Sequence, residues 1–238
     1  MKQQGRFLTA EWNNLLMLNY AVHPSLLEPF VPSGTELDSF EGRTYISLVA
    51  FEFNRTRVLG IGVPFHRSFE EINLRFYVKR ASRRAVVFIR ELVPRYAVAV
   101  IARYAFGENY SSVPMSHRVH AEAESDAVHA EYSWGSGADR CSLCIETHGA
   151  GFFPSKGSLA EFITEHYWGY AKQRDGGCLE YEVQHPQWSV REGKEAEFRG
   201  DAARFYGSEF AQVLLHPPDS AFLAEGSPVT VFKGTRIK

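Results

Sequence analysis

Between Phe69 and Val78 the chain reads FEEINLRFYV, and from Glu71 onward polar and apolar residues alternate. Glu71, Asn73, Arg75 and Tyr77 point one way, and Ile72, Leu74, Phe76 and Val78 the other, as side chains do along a strand. A carboxylate, an amide, a guanidinium and a phenol therefore share one row. If the row faces bulk water, this is an ordinary half-buried strand. If it faces a cavity, four functional groups converge on whatever the cavity holds. In the second case Arg75 is a bidentate partner for a small carboxylate or enolate, and Glu71 an acid or base once burial raises its pKa.

Other reactive residues make weaker groups. Cys141 and Cys144 form a single C-x-x-C followed by His148, but residues three apart on a strand face opposite sides, and Cys178 is remote. Buried structural cysteines are expected there, and no metal. The basic run KRASRR, Lys79 to Arg84, lies between two strand-like runs; a solvated hairpin connection accounts for it, with phosphate binding as the alternative. Triads are recognised by geometry, and no Ser-His-Asp spacing is readable. By position, His66, just before Glu71, and His120, after the Tyr110 region, are the best-placed histidines for catalysis. Trp12, Trp168 and Trp188 read as packing residues, with His185 and Trp188 placed to edge a pocket.

The elements that must position these groups are mostly strands. The clearest are 44–53, 71–80, 86–92, 117–124, 128–134, 140–147, 179–184 and 228–237, with AEAESDAVHAEY reading as two strands joined at Ser125 and Asp126. Eight or more such strands curl or close. Three helices are expected. A short one carries the Ser25-x-x-Glu28 capping pattern, a second runs from Pro94 to Gly107, and a third runs from Ser158 to about Lys172 with an aromatic stripe. No repeat or low-complexity linker divides residues 1–238, so one continuous domain is expected.

The 238 residues, 45% hydrophobic, are enough to build a core without disulfides or metal. A formal charge of −2 gives no general attraction to nucleic acid or an anionic membrane. No apolar run reaches the length of a membrane span and the N-terminus lacks a signal peptide's apolar segment, so a soluble, cytoplasmic protein is expected.

Taken together, LNYAVHPSLLEPFVPSGTELDSFEGRTYISLVAF, FEEINLRFYV, FITEHYWGY and VQHPQWSV resemble the YqjF-like proteins, domain of unknown function 2071, of the acetoacetate decarboxylase-like superfamily. The likeness spans nearly the whole chain and rests on the order and spacing of these phrases. It implies an α+β fold, predominantly antiparallel β, in which a strongly curved, cone-like or barrel-like sheet carries a few packed helices and encloses a pocket.

The resemblance also tests the chemistry residue by residue. Acetoacetate decarboxylases use a lysine that must be neutral to form a Schiff base with a ketone. The family's paired lysines fall here on Tyr110 and Ser111, its N-terminal arginine on Asn14, its helix arginine on Arg103 and its glutamate on Glu71. Among relocated lysines, Lys233 shares a face with Val229 and Val231 and is placed to point inward. The expectation is a pocket protein without the Schiff-base lysine. Glu71 is its candidate catalytic acid or base, and Asn73, Arg75, Tyr77, Arg103, Tyr110, Tyr20, His66 and His120 its candidate binding residues. The ligand is a small acidic or carbonyl-bearing metabolite, with no cofactor, and a homodimer has room. The alternative is a structural or assembly protein whose buried Glu/Arg/Tyr network only satisfies itself.

Overall fold

The computed structural model describes residues 5–62, 64, 66–122 and 126–237, with the backbone alone for 101–105. Its strands are β1 (Arg6–Val22), β2 (Glu36–Leu37), β3 (Thr44–Val58), β4 (Phe69–Arg80), β5 (Arg83–Val93), β6 (Tyr110–Ser112), β7 (Met115–Ala121), β8 (Val128–Trp134), β9 (Cys141–Thr147), β10 (Trp168–Lys172), β11 (Cys178–Gln184), β12 (Val190–Arg199), β13 (Ser220–Phe232) and β14 (Thr235–Ile237). Helices are α1 (Tyr96–Phe106), α2 (Leu159–Thr164), α3 (Ala203–Tyr206) and α4 (Ser208–Leu214).

The sheet is mostly antiparallel and bends back on itself. Pairing runs β13–β1–β3–β4–β5–β10–β11, and β11 returns to β13 at Val183↔Val231 and Gln184↔Thr230. β12, β9, β8 and β7 continue beyond β13 as an extension. Closure leaves a ring with an inside and an outside, and β4 is buried on both. Ile72, Leu74, Phe76 and Val78 belong to an outer core shared with Tyr132, Trp134, Leu143 and Ile145 of the extension, and with α3 and α4. The opposite row faces the ring interior beside Met17, Val49 and Phe51. Among the described residues, no helix is long and apolar enough to cross a membrane.

Several elements differ from the local sequence pattern. The Ser25 capping box is replaced by two 3-10 turns, Pro24–Leu26 and Glu28–Phe30, and it is the His23 ring that accepts from the Ser25 N–H. The third helix begins as expected: Ser158 Oγ accepts from the Glu161 N–H at 3.1 Å. It ends at Thr164, because Glu165 leaves helical geometry and Trp168–Lys172 is taken up as β10 between β5 and β11. Pairing in the ring overrides a helical period that Tyr167 and Tyr170 had suggested. Long β1 and polar β12, and the short α3 and α4, carry no clean single period. The expected 117–124 strand is described to Ala121, and Ala123, Glu124 and Ser125 lie outside the described residues.

The basic run forms the β4–β5 hairpin, turning at Ala81 with φ 53°. Lys79 meets Glu36, Arg80 and Arg83 share Glu180, and Arg84 meets Asp38 at 2.7 Å. Arg83 also lies over the Trp168 ring and Arg84 over Phe162. All three cysteines are free, and Cys141 and Cys178 are buried.

Candidate active site

A cavity of about 150 Å³ lies inside the ring. β4 supplies its polar wall, because strand alternation carries Glu71, Asn73 and Arg75 inward together. Glu71 is 4% exposed. The Asn73 amide donates to its Oε1 at 3.1 Å and the Tyr110 hydroxyl to its Oε2 at 3.2 Å. Burial pushes its pKa up to about 8, reinforced by the charge of Glu108 and opposed by those two hydrogen bonds.

Two further carboxyls meet it. Glu91 comes from β5 through a β-bulge: Leu74 pairs with Arg90 but Arg75 with Phe88, so Ile89 is the extra residue. Val86 and Phe88 line the cavity, and after the bulge the inward phase passes to Glu91. Plain alternation would have turned Arg90 and Leu92 inward. Glu108 follows Gly107, whose φ of 70° ends α1 and sends the chain back toward the wall. Tyr181 donates to Glu108 Oε1 at 2.6 Å. Burial raises the pKa of Glu91 well above the carboxylate range and that of Glu108 to about 7. The charge of Glu108 adds to burial in holding Glu91 toward its protonated form.

Arg75 stands apart from these acids. It is 8% exposed, and its Nη2 donates to the Ile163 carbonyl at 3.1 Å and lies 3.8 Å from Met17 Sδ. Its Nε has no partner. His166, missed as a site residue because it sat in the aromatic helical stripe, is close by. Its Nε2 lies 2.6 Å from the Phe162 carbonyl oxygen while Nδ1 has no partner. Burial, helped by the positive charge of Arg75, lowers its pKa to about 3. Asn73 Oδ1 and Glu91 Oε2 are likewise buried without partners at this cavity. The remaining wall is aromatic: Trp12 packs edge-on against Phe51 and Phe53, and Phe53 stacks on Phe69 at 4.8 Å. Trp188, read as packing, also lines it, with His185 stacked on its ring at 4.1 Å.

The other sequence candidates disperse. Tyr110 and, at the rim, His66 join the cavity. Tyr77 shares the inward row but bonds Ser47 Oγ at 2.5 Å and stacks on His166. Tyr20 shares the phase of Leu16 and Leu18 on β1 and lies in the outer core, so it does not reach the cavity. His120 is exposed on β7, in a separate surface cleft with Arg118 and Glu131, because β7 lies beyond the ring. The Arg103 side chain lies outside the described residues, on the backbone of α1. Asn14 sits at a β1 irregularity, φ 53°, and donates to Glu52. Lys79, Lys156, Lys172, Lys194 and Lys233 do not line the cavity, while Lys2 and Lys238 lie outside the described residues. Lys233 is exposed, since β13 ends at Phe232 before the inward phase reaches it.

Similar proteins fit this architecture. An acetoacetate decarboxylase-like enzyme from Sphingomonas wittichii RW1 superposes with a TM-score of 0.68 at 12% identity, covering 98% of this chain and 94% of that one. Acetoacetate decarboxylase from Legionella pneumophila gives 0.69 at 10% identity, covering 100% and 90%. The enduracididine biosynthesis enzyme MppR, complexed with the condensation product of pyruvate and imidazole 4-carboxaldehyde, gives 0.70 at 11% identity, covering 98% and 90%. At these identities the likeness establishes the fold alone. In sequence, the uncharacterized protein YqjF of Bacillus subtilis strain 168 is 31% identical over 193 residues, 78% of this chain and 75% of its own length. The DUF2071 family, described as an uncharacterized conserved protein, matches residues 9–228, and the chain is a member of that family.

Proposed function

We propose that the ring cavity binds a small acidic or carbonyl-bearing metabolite, with Arg75 holding its carboxylate and Glu71 serving as proton donor or acceptor. The observation that carries this reading is Arg75: a buried guanidinium whose partners are a carbonyl and a thioether, with Nε unpaired, in a cavity whose acids are pushed toward their neutral forms. A buried unpaired charge is expensive, and a ligand carboxylate is the group that offsets it. A protonated Glu71, oriented by Asn73 and Tyr110, can then donate to a carbonyl or enolate oxygen and take the proton back. No described lysine lines the cavity, which supports a route other than Schiff-base decarboxylation of the acetoacetate type. MppR, whose complex holds a pyruvate-derived product, supports a small oxygenated acid as the ligand class.

Calorimetric titration of the wild type and Arg75→Met with acetate, butyrate, acetoacetate and phenylacetate tests it. Binding of at least one acid that weakens about a hundred-fold in the variant is expected, the scale of losing a bidentate charged contact. No binding by the wild type defeats the reading and leaves the Glu71–Tyr110–Asn73 contacts as a structural network. Borohydride trapping with acetoacetate, read by intact mass, is expected to leave the mass unchanged; a lysine adduct would restore the Schiff-base route.

A further inference from the structure

The Arg75 end of the cavity is specified more closely than a bare anion site. Two successive carbonyls at the end of α2 hold its two polar side chains: Ile163 O accepts from Arg75 and Phe162 O faces His166 Nε2 at 2.6 Å. A carbonyl oxygen only accepts, so Nε2 carries the ring's hydrogen. His166 is 7% exposed and has Arg75 as a charged neighbour, so a second proton is disfavoured and Nδ1 presents a lone pair. That lone pair has no partner, and neither has Arg75 Nε. Tyr77 fixes their relative placement: its ring stacks on His166 at 4.8 Å and lies 5.8 Å from the Arg75 guanidinium carbon. Two residues that line the cavity thus hold, one an unfilled donor, the other an unfilled acceptor.

A plain carboxylate satisfies Arg75 but turns only lone pairs toward His166. A 2-oxo acid does the same in its keto form. An ammonium would supply a donor, but its charge would repel Arg75. A hydroxyl supplies the donor without the charge. We infer that the cavity selects small hydroxy carboxylates, with Arg75 binding the carboxylate and His166 Nδ1 accepting the hydroxyl hydrogen. Size and lining set the rest of the molecule. About 150 Å³ accommodates a benzene-sized group, and Trp12, Phe53 and Phe69 offer it an aromatic wall. His166 is therefore a specificity-determining residue.

This inference rests on the carboxylate reading above, and the probes separate the two. Mandelate is compared with phenylacetate, and lactate with propionate, by calorimetry on the wild type, His166→Gln and His166→Phe. The Gln amide nitrogen reaches the Nε2 position and keeps the Phe162 contact, while leaving nothing at Nδ1; circular dichroism and melting temperature check that each variant folds. The wild type is expected to bind the hydroxy acid of at least one pair about ten-fold more tightly, a factor set by one buried hydrogen bond. In His166→Gln that ratio is expected to fall to about one, with the affinity for the deoxy acid kept. Equal affinity of hydroxy and deoxy acids in the wild type overturns the inference and leaves the carboxylate reading standing, as does a ratio that survives both substitutions. Absence of binding by all four acids overturns the inference, and overturns the carboxylate reading as well when acetate, butyrate and acetoacetate also fail to bind.

Discussion

The two ends of β4 treat charge in opposite ways. At the hairpin end Lys79, Arg80, Arg83 and Arg84 are partly exposed, and each has a carboxylate of the chain's own within reach. Four residues before the first of them, Arg75 is almost wholly buried and has none among the described residues. Water could stabilise the hairpin charges without help, yet they are paired; the cavity charge cannot be hydrated as easily, yet it is not. Charges that only hold a fold together are satisfied by the fold. The asymmetry is the contrast on which the proposed carboxylate site at the buried end rests.

The largest expected effect that sharpens this contrast is the pH dependence of the cavity end. Glu71 keeps its proton in the folded state up to about pH 8, whereas in the unfolded chain it ionises near its ordinary value of 4.5. Between those values the folded state binds more protons, so its contribution is fully present below about pH 4.5 and is lost as pH rises through about 8. The loss is on the order of 5 kcal/mol for Glu71, and Glu91 and Glu108 add in the same direction. Urea titrations across this range should show stability falling with pH, and Glu71→Gln, which imitates the protonated acid, should flatten the fall. A stability that rises from pH 5 to 8, or a Gln variant with the wild-type slope, would mean that the acids are not held neutral by burial.

How much of this was legible in the sequence differs between the ends of the strand. The β4 row, Arg75 included, could be read directly because its alternation is unbroken from Glu71 to Val78, whereas Tyr110 came from the family likeness. Glu91 could not, because Ile89 is an extra residue and a strict two-residue period assigns Glu91 to the face of Val87 and Ile89. Glu108 sits in a loop after Gly107, where no period exists to place it. His166 was hidden by a helical stripe that ends at Thr164, and Tyr20 was misplaced because β1, with its irregularity near Asn14, showed no period to read. The curved antiparallel fold was legible from strand count and family likeness. Closure was expected with it, but the strands that make it were not, since the β11–β13 pairing joins segments separated by a helical stretch and carries no local signal.

A smaller effect belongs to the hairpin end. Glu180 accepts from Arg83 at 2.8 Å and from the Tyr170 hydroxyl at 2.7 Å. Glu180→Gln should cost about 1 kcal/mol by denaturant titration, because two hydrogen bonds lose their charge while the oxygen and its packing remain. It should leave acid binding in the cavity unchanged. A loss of binding would couple the two ends and end the contrast.

The smallest expected effect is also the sharpest test of the contrast, because it concerns stability alone. Arg84→Met removes a partly exposed pair with Asp38 and the contact over Phe162, so it should cost about 0.5–1 kcal/mol. Arg75→Met removes a charge that has no carboxylate partner and replaces it with an apolar chain of similar length, so in ligand-free protein it should be neutral within about 1 kcal/mol or stabilising. The lost bond to Ile163 O works against the gain from no longer burying an unpaired guanidinium, which is why the net change is small. The comparison is made by urea midpoint at fixed m-value in buffer free of carboxylates, because a bound acid would stabilise only the chain that retains Arg75. If Arg75→Met instead costs several times what Arg84→Met does, the guanidinium is a strut between β4 and α2, and its unpaired nitrogen is a tolerated cost of the fold.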